Sequence, residues 1–157
     1  MTALKTLLWS VFVPGTVTVL VPYILLQSRF KTFPVELSRF RYLGLVPIAS
    51  GALLYIWCAW DFTFTGKGTP APFDPPKEIV VGGLYRYVRN PMYVAVLLVL
   101  IGEAMWFESG LILIYATIVF SVFHSWVISY EEPTLKRKFG ESYEKYCRKV
   151  SRWVPSA

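Results

Sequence analysis

The chain has 157 residues, 55% of them hydrophobic, 17% aromatic and only 17% charged, with a mean hydropathy of +0.47 and a net charge of +6. A soluble globular domain carries roughly 25% charged residues, so this composition is that of an integral membrane protein. Length allows a single domain, since four spans of about 20 residues each fill roughly half the chain. Solenoids, secreted disulfide scaffolds and disordered chains are excluded.

In chain order, Leu7 to Leu26 is free of charge but interrupted by Pro14, Gly15 and Pro22, which predicts a kinked first membrane helix. A cleaved signal peptide is the competing reading, disfavoured by the single preceding Lys5 and the lack of a small-x-small cleavage site. The second span is expected from Leu43 to Phe64, with Trp57 and Trp60 suited to an interfacial belt. A Gly/Pro-rich loop, Thr65 to Asn90, follows; at about 25 residues it exceeds the usual connection length, a mark of functional or disordered loops. A short third span, Pro91 to Phe107, and a fourth, Leu111 to Tyr130, form a tight helical hairpin about Ser109-Gly110. After them Leu135, Phe139, Tyr143, Tyr146 and Val150 recur at helical spacing among basic residues, the pattern of one amphipathic interfacial helix.

The expected fold is therefore all-α and polytopic: about four transmembrane helices, a short hairpin and a C-terminal amphipathic helix. A single membrane domain spans 1–157, with the first two spans in 1–64 and the loop, hairpin and C-terminal region in 65–157. Four spans put both termini on one side, which then holds twelve of the 16 Lys and Arg, leaving four (Arg29, Lys31, Arg39, Arg41) on the other. By the positive-inside rule the termini are expected to be cytoplasmic, in the cell or inner membrane. Topology and anionic lipid account for the positive surplus, and no nucleic-acid partner is expected. Cys58 and Cys147 occupy such different surroundings that both are expected to be reduced.

The single histidine, His124, and Cys58 offer no metal constellation, and triad, P-loop and G-x-G-x-x-G patterns are absent from the sequence. Three polar features stand out. Asn90 is placed to cap, and Pro91 to begin, the third helix, so its free N–H groups with Arg86 and Arg89 nearby suit a carboxylate or phosphate. Glu131-Glu132 pairs two carboxylates at a membrane boundary, which a cation or ammonium group would relieve. Glu103, inside the short third span, is expected to reach the opposite surface.

Order and spacing add force to these features. Gly83-Leu84-Tyr85 precedes Arg89-Asn90-Pro91-Met92-Tyr93, which opens a membrane helix. Then come the hairpin, Glu131-Glu132, Phe139-Gly-x-x-Tyr143-x-x-Tyr146, and a basic end closing on Pro155. The series resembles the isoprenylcysteine carboxyl methyltransferase family and its relatives, among them the phospholipid N-methyltransferases, over roughly Val80 to Pro155.

The resemblance implies S-adenosylmethionine in a cytoplasm-facing pocket, contacted by Lys77, Glu78, Ile79, Val80, Tyr85, Arg89, Asn90, Pro91, Met92, Tyr93 and Glu131. It implies methyl transfer to a lipophilic acceptor entering from the bilayer; if the acceptor must lose a proton, Glu132, His124 or Tyr93 could serve as the base, and the sequence does not choose among them. Two departures bear on the acceptor. Asn90 stands where the family usually has histidine, and Val127 stands where the prenylcysteine enzymes carry an arginine for the substrate carboxylate. A nicotinamide-dependent reductase of sterol-reductase type and a non-catalytic membrane scaffold are the alternative readings.

Overall fold

The computed structural model describes residues 12–28, 34–64 and 81–155. All regular structure among them is helical, and the only β pairing is two isolated bridges, Pro34 with Ser109 and Val88 with Ser151. Helix α1 covers Phe12–Gln27. A 3-10 turn, Ser38–Gly44, leads into α2, Leu45–Phe64. Another, Gly83–Arg86, precedes α3, Pro91–Trp106, which the hairpin joins to α4, Gly110–Trp126. The chain continues through a π-helical turn, Val127–Glu131, into α5, Glu132–Phe139, and then α6, Glu141–Lys149.

The kink expected of Pro14, Gly15 and Pro22 takes the form of a π-helical turn, Thr16–Leu20. Pro22 has no N–H, so the regular ladder is interrupted, and the Val21 N–H instead bonds the Thr16 carbonyl five residues back. The same device recurs at Pro133, where the Glu132 N–H bonds the Val127 carbonyl. The fourth helix therefore does not end at Tyr130; one apolar helical run extends from Gly110 to Phe139 with an extra residue inserted just before the two glutamates.

Two helical runs, Ser38–Asp61 and Gly110–Phe139, are long and apolar enough to cross a membrane. Helices α1 and α3 are shorter, and 16 residues in α3 extend only about 24 Å against a hydrocarbon core of roughly 30 Å. The roughly four expected spans, the third of them short, thus resolve into two helices of crossing length and two shorter ones among the described residues. Large side chains along them face outward, as at Leu53 (68% exposed), Trp60 (64%) and Val122 (59%). An apolar surface this continuous needs lipid around it, as in an integral membrane protein.

Close backbone approach governs the packing of α2 and its leading turn on α3. A Cβ at Gly102 would lie 2.5 Å from the Gly44 carbonyl oxygen, and one at Gly51 would lie 2.6 Å from that of Ala95. Gly44 and Gly51 are seven apart, as are Ala95 and Gly102, so small residues meet at two successive levels of an antiparallel crossing. Behind this contact Val96, Leu100, Ala116 and Val119 form the core shared by α3 and α4.

Glu108, in left-handed conformation at the hairpin (φ 53°), anchors the turn before α2. Its carboxylate accepts from the backbone N–H groups of Leu37 (3.0 Å) and Ser38 (2.8 Å). Glu103 is half-buried, and its Oε2 is buried without a hydrogen-bond partner among the described residues. The single amphipathic C-terminal helix is also corrected. Gly140 adopts φ 54°, ψ −128°, which breaks the run into α5 and α6, and Lys136 bridges the break by pairing with Glu144 at 2.7 Å.

Candidate active site

The site forms where the start of α3, the π-helical turn after α4 and the C-terminal segment meet. Asn90 and Pro91 begin α3 as the sequence indicates, but the Asn90 side chain does not cap it. Its Nδ2 donates instead to the Arg152 carbonyl (3.1 Å), and the Arg89 N–H donates to the Ser151 carbonyl (2.9 Å). Pro91 has no N–H, and the Val94 N–H is taken by the Asn90 carbonyl, so the Met92 and Tyr93 amides stand at an uncapped helix start.

One turn into α3, the Tyr93 hydroxyl donates to Glu131 Oε2 at 3.1 Å. The π-helical turn makes this possible, because the inserted residue re-aims the end of the helix and points Glu131 inward while Val127, one turn earlier, is sealed in the interior at 1% exposure. Tyr85 lies buried on the 3-10 turn. Its hydroxyl is held well above its ordinary pKa, first by burial and then by the proximity of Cys58, Glu131, Tyr146 and Tyr93. Tyr85, Tyr93 and Glu131 therefore share one buried locus. Tyr146 fixes the turn from below, donating to the Tyr85 carbonyl at 2.6 Å.

Glu132 occupies the centre of a second cluster. Arg89 Nη1 reaches its Oε1 at 3.0 Å, while Arg152 engages both oxygens, Nε to Oε1 at 2.6 Å and Nη2 to Oε2 at 2.9 Å. The two-point Arg152 contact is the strong, direction-fixing form of an ion pair. Arg89 Nη1 also lies 2.9 Å from Cys147 Sγ. Both cysteines are free thiols. His124 accepts at Nδ1 from the Trp153 indole N–H (3.1 Å), and the Trp153 ring packs near Phe120, His124 and Tyr93. Tyr93 in turn stacks on Phe123, with ring centres 4.6 Å apart.

The structure thus brings together Tyr85, Tyr93, Glu131 and the Met92 amide, and places Arg89, Asn90, Glu132 and His124 around them as holders of the C-terminal segment. Lys77, Glu78, Ile79 and Val80 lie outside the described residues. Arg152, Trp153 and Cys147 join the site without a local signal of that role, since the basic Arg-Trp-x-Pro end shows neither that Arg152 pairs with Glu132 nor that Trp153 caps His124. Among the described residues no group of three or more His, Cys, Asp or Glu is placed to hold a metal ion.

A membrane-embedded helical protein with a part-buried acid–tyrosine pair at the end of a helical hairpin, closed by its own C-terminal strap, is the class these features define. The family model for phospholipid methyltransferase matches residues 40–142, and the chain belongs to that family. It is 28% identical over 118 residues to a probable protein-S-isoprenylcysteine O-methyltransferase of Oryza sativa subsp. indica, covering 73% of this chain and 60% of that protein. A protein-S-isoprenylcysteine O-methyltransferase of Schizosaccharomyces pombe is 35% identical over 77 residues, 49% of this chain and 33% of that one. An uncharacterized protein of Haemophilus influenzae is 35% identical over 63 residues, 40% of this chain and 100% of its own length. The chain spans about 60% of the length of its rice relative.

Proposed function

We propose that the protein is an integral-membrane methyltransferase that moves a methyl group from S-adenosylmethionine to a lipophilic acceptor reached from the bilayer. The observation that carries this reading is the part-buried Tyr93–Glu131 pair beside the uncapped start of α3. A zwitterionic amino-acid group needs a site for a carboxylate and one for an ammonium. The Met92 and Tyr93 amides at the helix start suit the first, and the Glu131 carboxylate the second. Tyr85 and the Lys77–Val80 strip complete the proposed site, and family membership and the names of the relatives support it. The distribution of Lys and Arg favours a cytoplasmic orientation.

S-adenosylmethionine supplies an electrophilic methyl on sulfur, transferred by in-line displacement. The chain's task is then to position the reactants and exclude water. The residues expected as bases are all engaged: Glu132 by two guanidinium groups, His124 by the Trp153 N–H at Nδ1, and the Tyr93 hydroxyl by Glu131. A neutral His124 ring accepting at Nδ1 carries its proton on Nε2, so it has no lone pair left for an acceptor's proton. Glu132 serves as a positioning residue that holds Arg89 and Arg152. With these groups engaged, an acceptor that must lose a proton loses it to solvent before attack, and the buried Val127 in place of a cationic side chain disfavours an acceptor held by its carboxylate. The test is methyl transfer from labelled S-adenosylmethionine to a panel of lipid amines, prenyl thiols and prenylcysteine carboxylates in vesicles. Labelling of a thiol or amine lipid supports the reading; labelling of none overturns it.

A further inference from the structure

Asp61 takes no part in the site as assigned above. It ends the apolar run of α2, yet its Oδ2 is buried with no hydrogen-bond partner among the described residues. A carboxylate oxygen withdrawn from water and left unpaired is costly, and such groups persist in native proteins where a ligand supplies the missing donor.

The neighbouring backbone is shaped around this carboxylate. Gly83 sits at φ 54°, and a Cβ there would collide with Asp61 Oδ2, so only glycine lets the 3-10 turn close over it. That turn carries Tyr85, two residues further on, into the buried locus with Tyr93 and Glu131. One turn before Asp61 on α2, the wholly buried Cys58 adjoins Tyr85 from the other direction. Asp61 therefore borders the same locus as Glu131, from a helix the sequence motifs never reach.

We propose that Asp61 is a second acidic binding residue of this site, its carboxylate accepting hydrogen bonds from the ribose hydroxyls of S-adenosylmethionine; this rests on the cofactor assignment above. Glu131 and the start of α3 already answer the amino-acid charges, which leaves the ribose diol and the adenine amino group as the remaining donors. A carboxylate accepting from a vicinal diol is the chemistry by which an acidic side chain fixes the ribose of a dinucleotide.

The experiment measures S-adenosylhomocysteine binding by calorimetry on the full chain in detergent, for wild type and Asp61→Asn, together with the melting temperature of each without ligand. The inference predicts at least a tenfold rise in Kd for Asp61→Asn with a melting temperature unchanged or raised, because an orphaned charge has been removed. It also predicts that wild type binds the 2′,3′-dideoxyribose analogue at least tenfold more weakly, and that Asp61→Asn adds little to that loss. The analogue arm on wild type requires no variant to fold. Equal affinity of wild type for both ligands, or unaltered affinity in a folded Asp61→Asn, overturns the ribose assignment and leaves the cofactor reading standing. A folded wild type that binds no S-adenosylhomocysteine overturns the cofactor reading and this inference with it.

Discussion

At the scale of single residues, the site separates groups that face the proposed cofactor from groups that hold them in place. Tyr93→Phe removes the hydroxyl that donates to Glu131 Oε2, so S-adenosylmethionine should bind roughly tenfold more weakly, the equivalent of about 1.4 kcal/mol, by calorimetry. Glu103→Gln is the matching control. Glu103 Oε2 is buried and unpartnered on the same helix, so the substitution should leave affinity unchanged and the unfolding midpoint equal or higher. Glu132→Ala leaves the Arg89 and Arg152 guanidinium groups without their shared carboxylate. Breaking a fully buried pair costs about 3–5 kcal/mol, and partial exposure at this cluster reduces the expected loss to roughly 2–3 kcal/mol, measurable by thermal or denaturant unfolding in detergent.

At the scale of elements, the crossing of α2 on α3 depends on glycine. Gly102→Ala introduces a Cβ 2.5 Å from the Gly44 carbonyl oxygen and 2.8 Å from the Ile48 backbone nitrogen, neither of which is a side chain that can swing away. The helices must separate, and unfolding experiments should show a loss of about 1–3 kcal/mol. Sequence alone revealed the start of α3, because Asn90-Pro91 carries its own signal, and the hairpin turn at Ser109-Gly110. It did not reveal the partners of Gly44 and Gly102, since contact between distant segments leaves no local trace. The break at Gly140 left no trace because Leu135, Phe139, Tyr143, Tyr146 and Val150 keep helical spacing across it. Whether a helix ends at Pro133 or widens by one residue ahead of it depends on tertiary packing. That choice decides where Glu131 points. Asp61 was legible only as a charge at the end of a span, because its meaning lies in the turn at Gly83.

At the scale of the whole molecule, the C-terminal segment is the strap that joins the parts. Val88 pairs with Ser151, Arg152 reaches Glu132, and Trp153 covers His124 and Tyr93. Truncation after Lys149 should therefore lower S-adenosylmethionine affinity more than tenfold while leaving the α2–α3–α4 packing intact, a result checked by binding alongside circular dichroism. Outside this strap and the core, the helices expose large apolar side chains such as Leu53, Trp60 and Val122, a surface that suits the proposed approach of a lipophilic acceptor within the bilayer.

The central claim is that the locus of Tyr85, Tyr93 and Glu131 holds S-adenosylmethionine. The most direct test is calorimetric titration of the folded, detergent-purified chain with S-adenosylmethionine and with NADPH, repeated on Glu131→Gln. The account predicts saturable binding of S-adenosylmethionine, its loss in Glu131→Gln, and no response to NADPH. Failure of the folded wild type to bind S-adenosylmethionine, or binding of NADPH in its place, would contradict it.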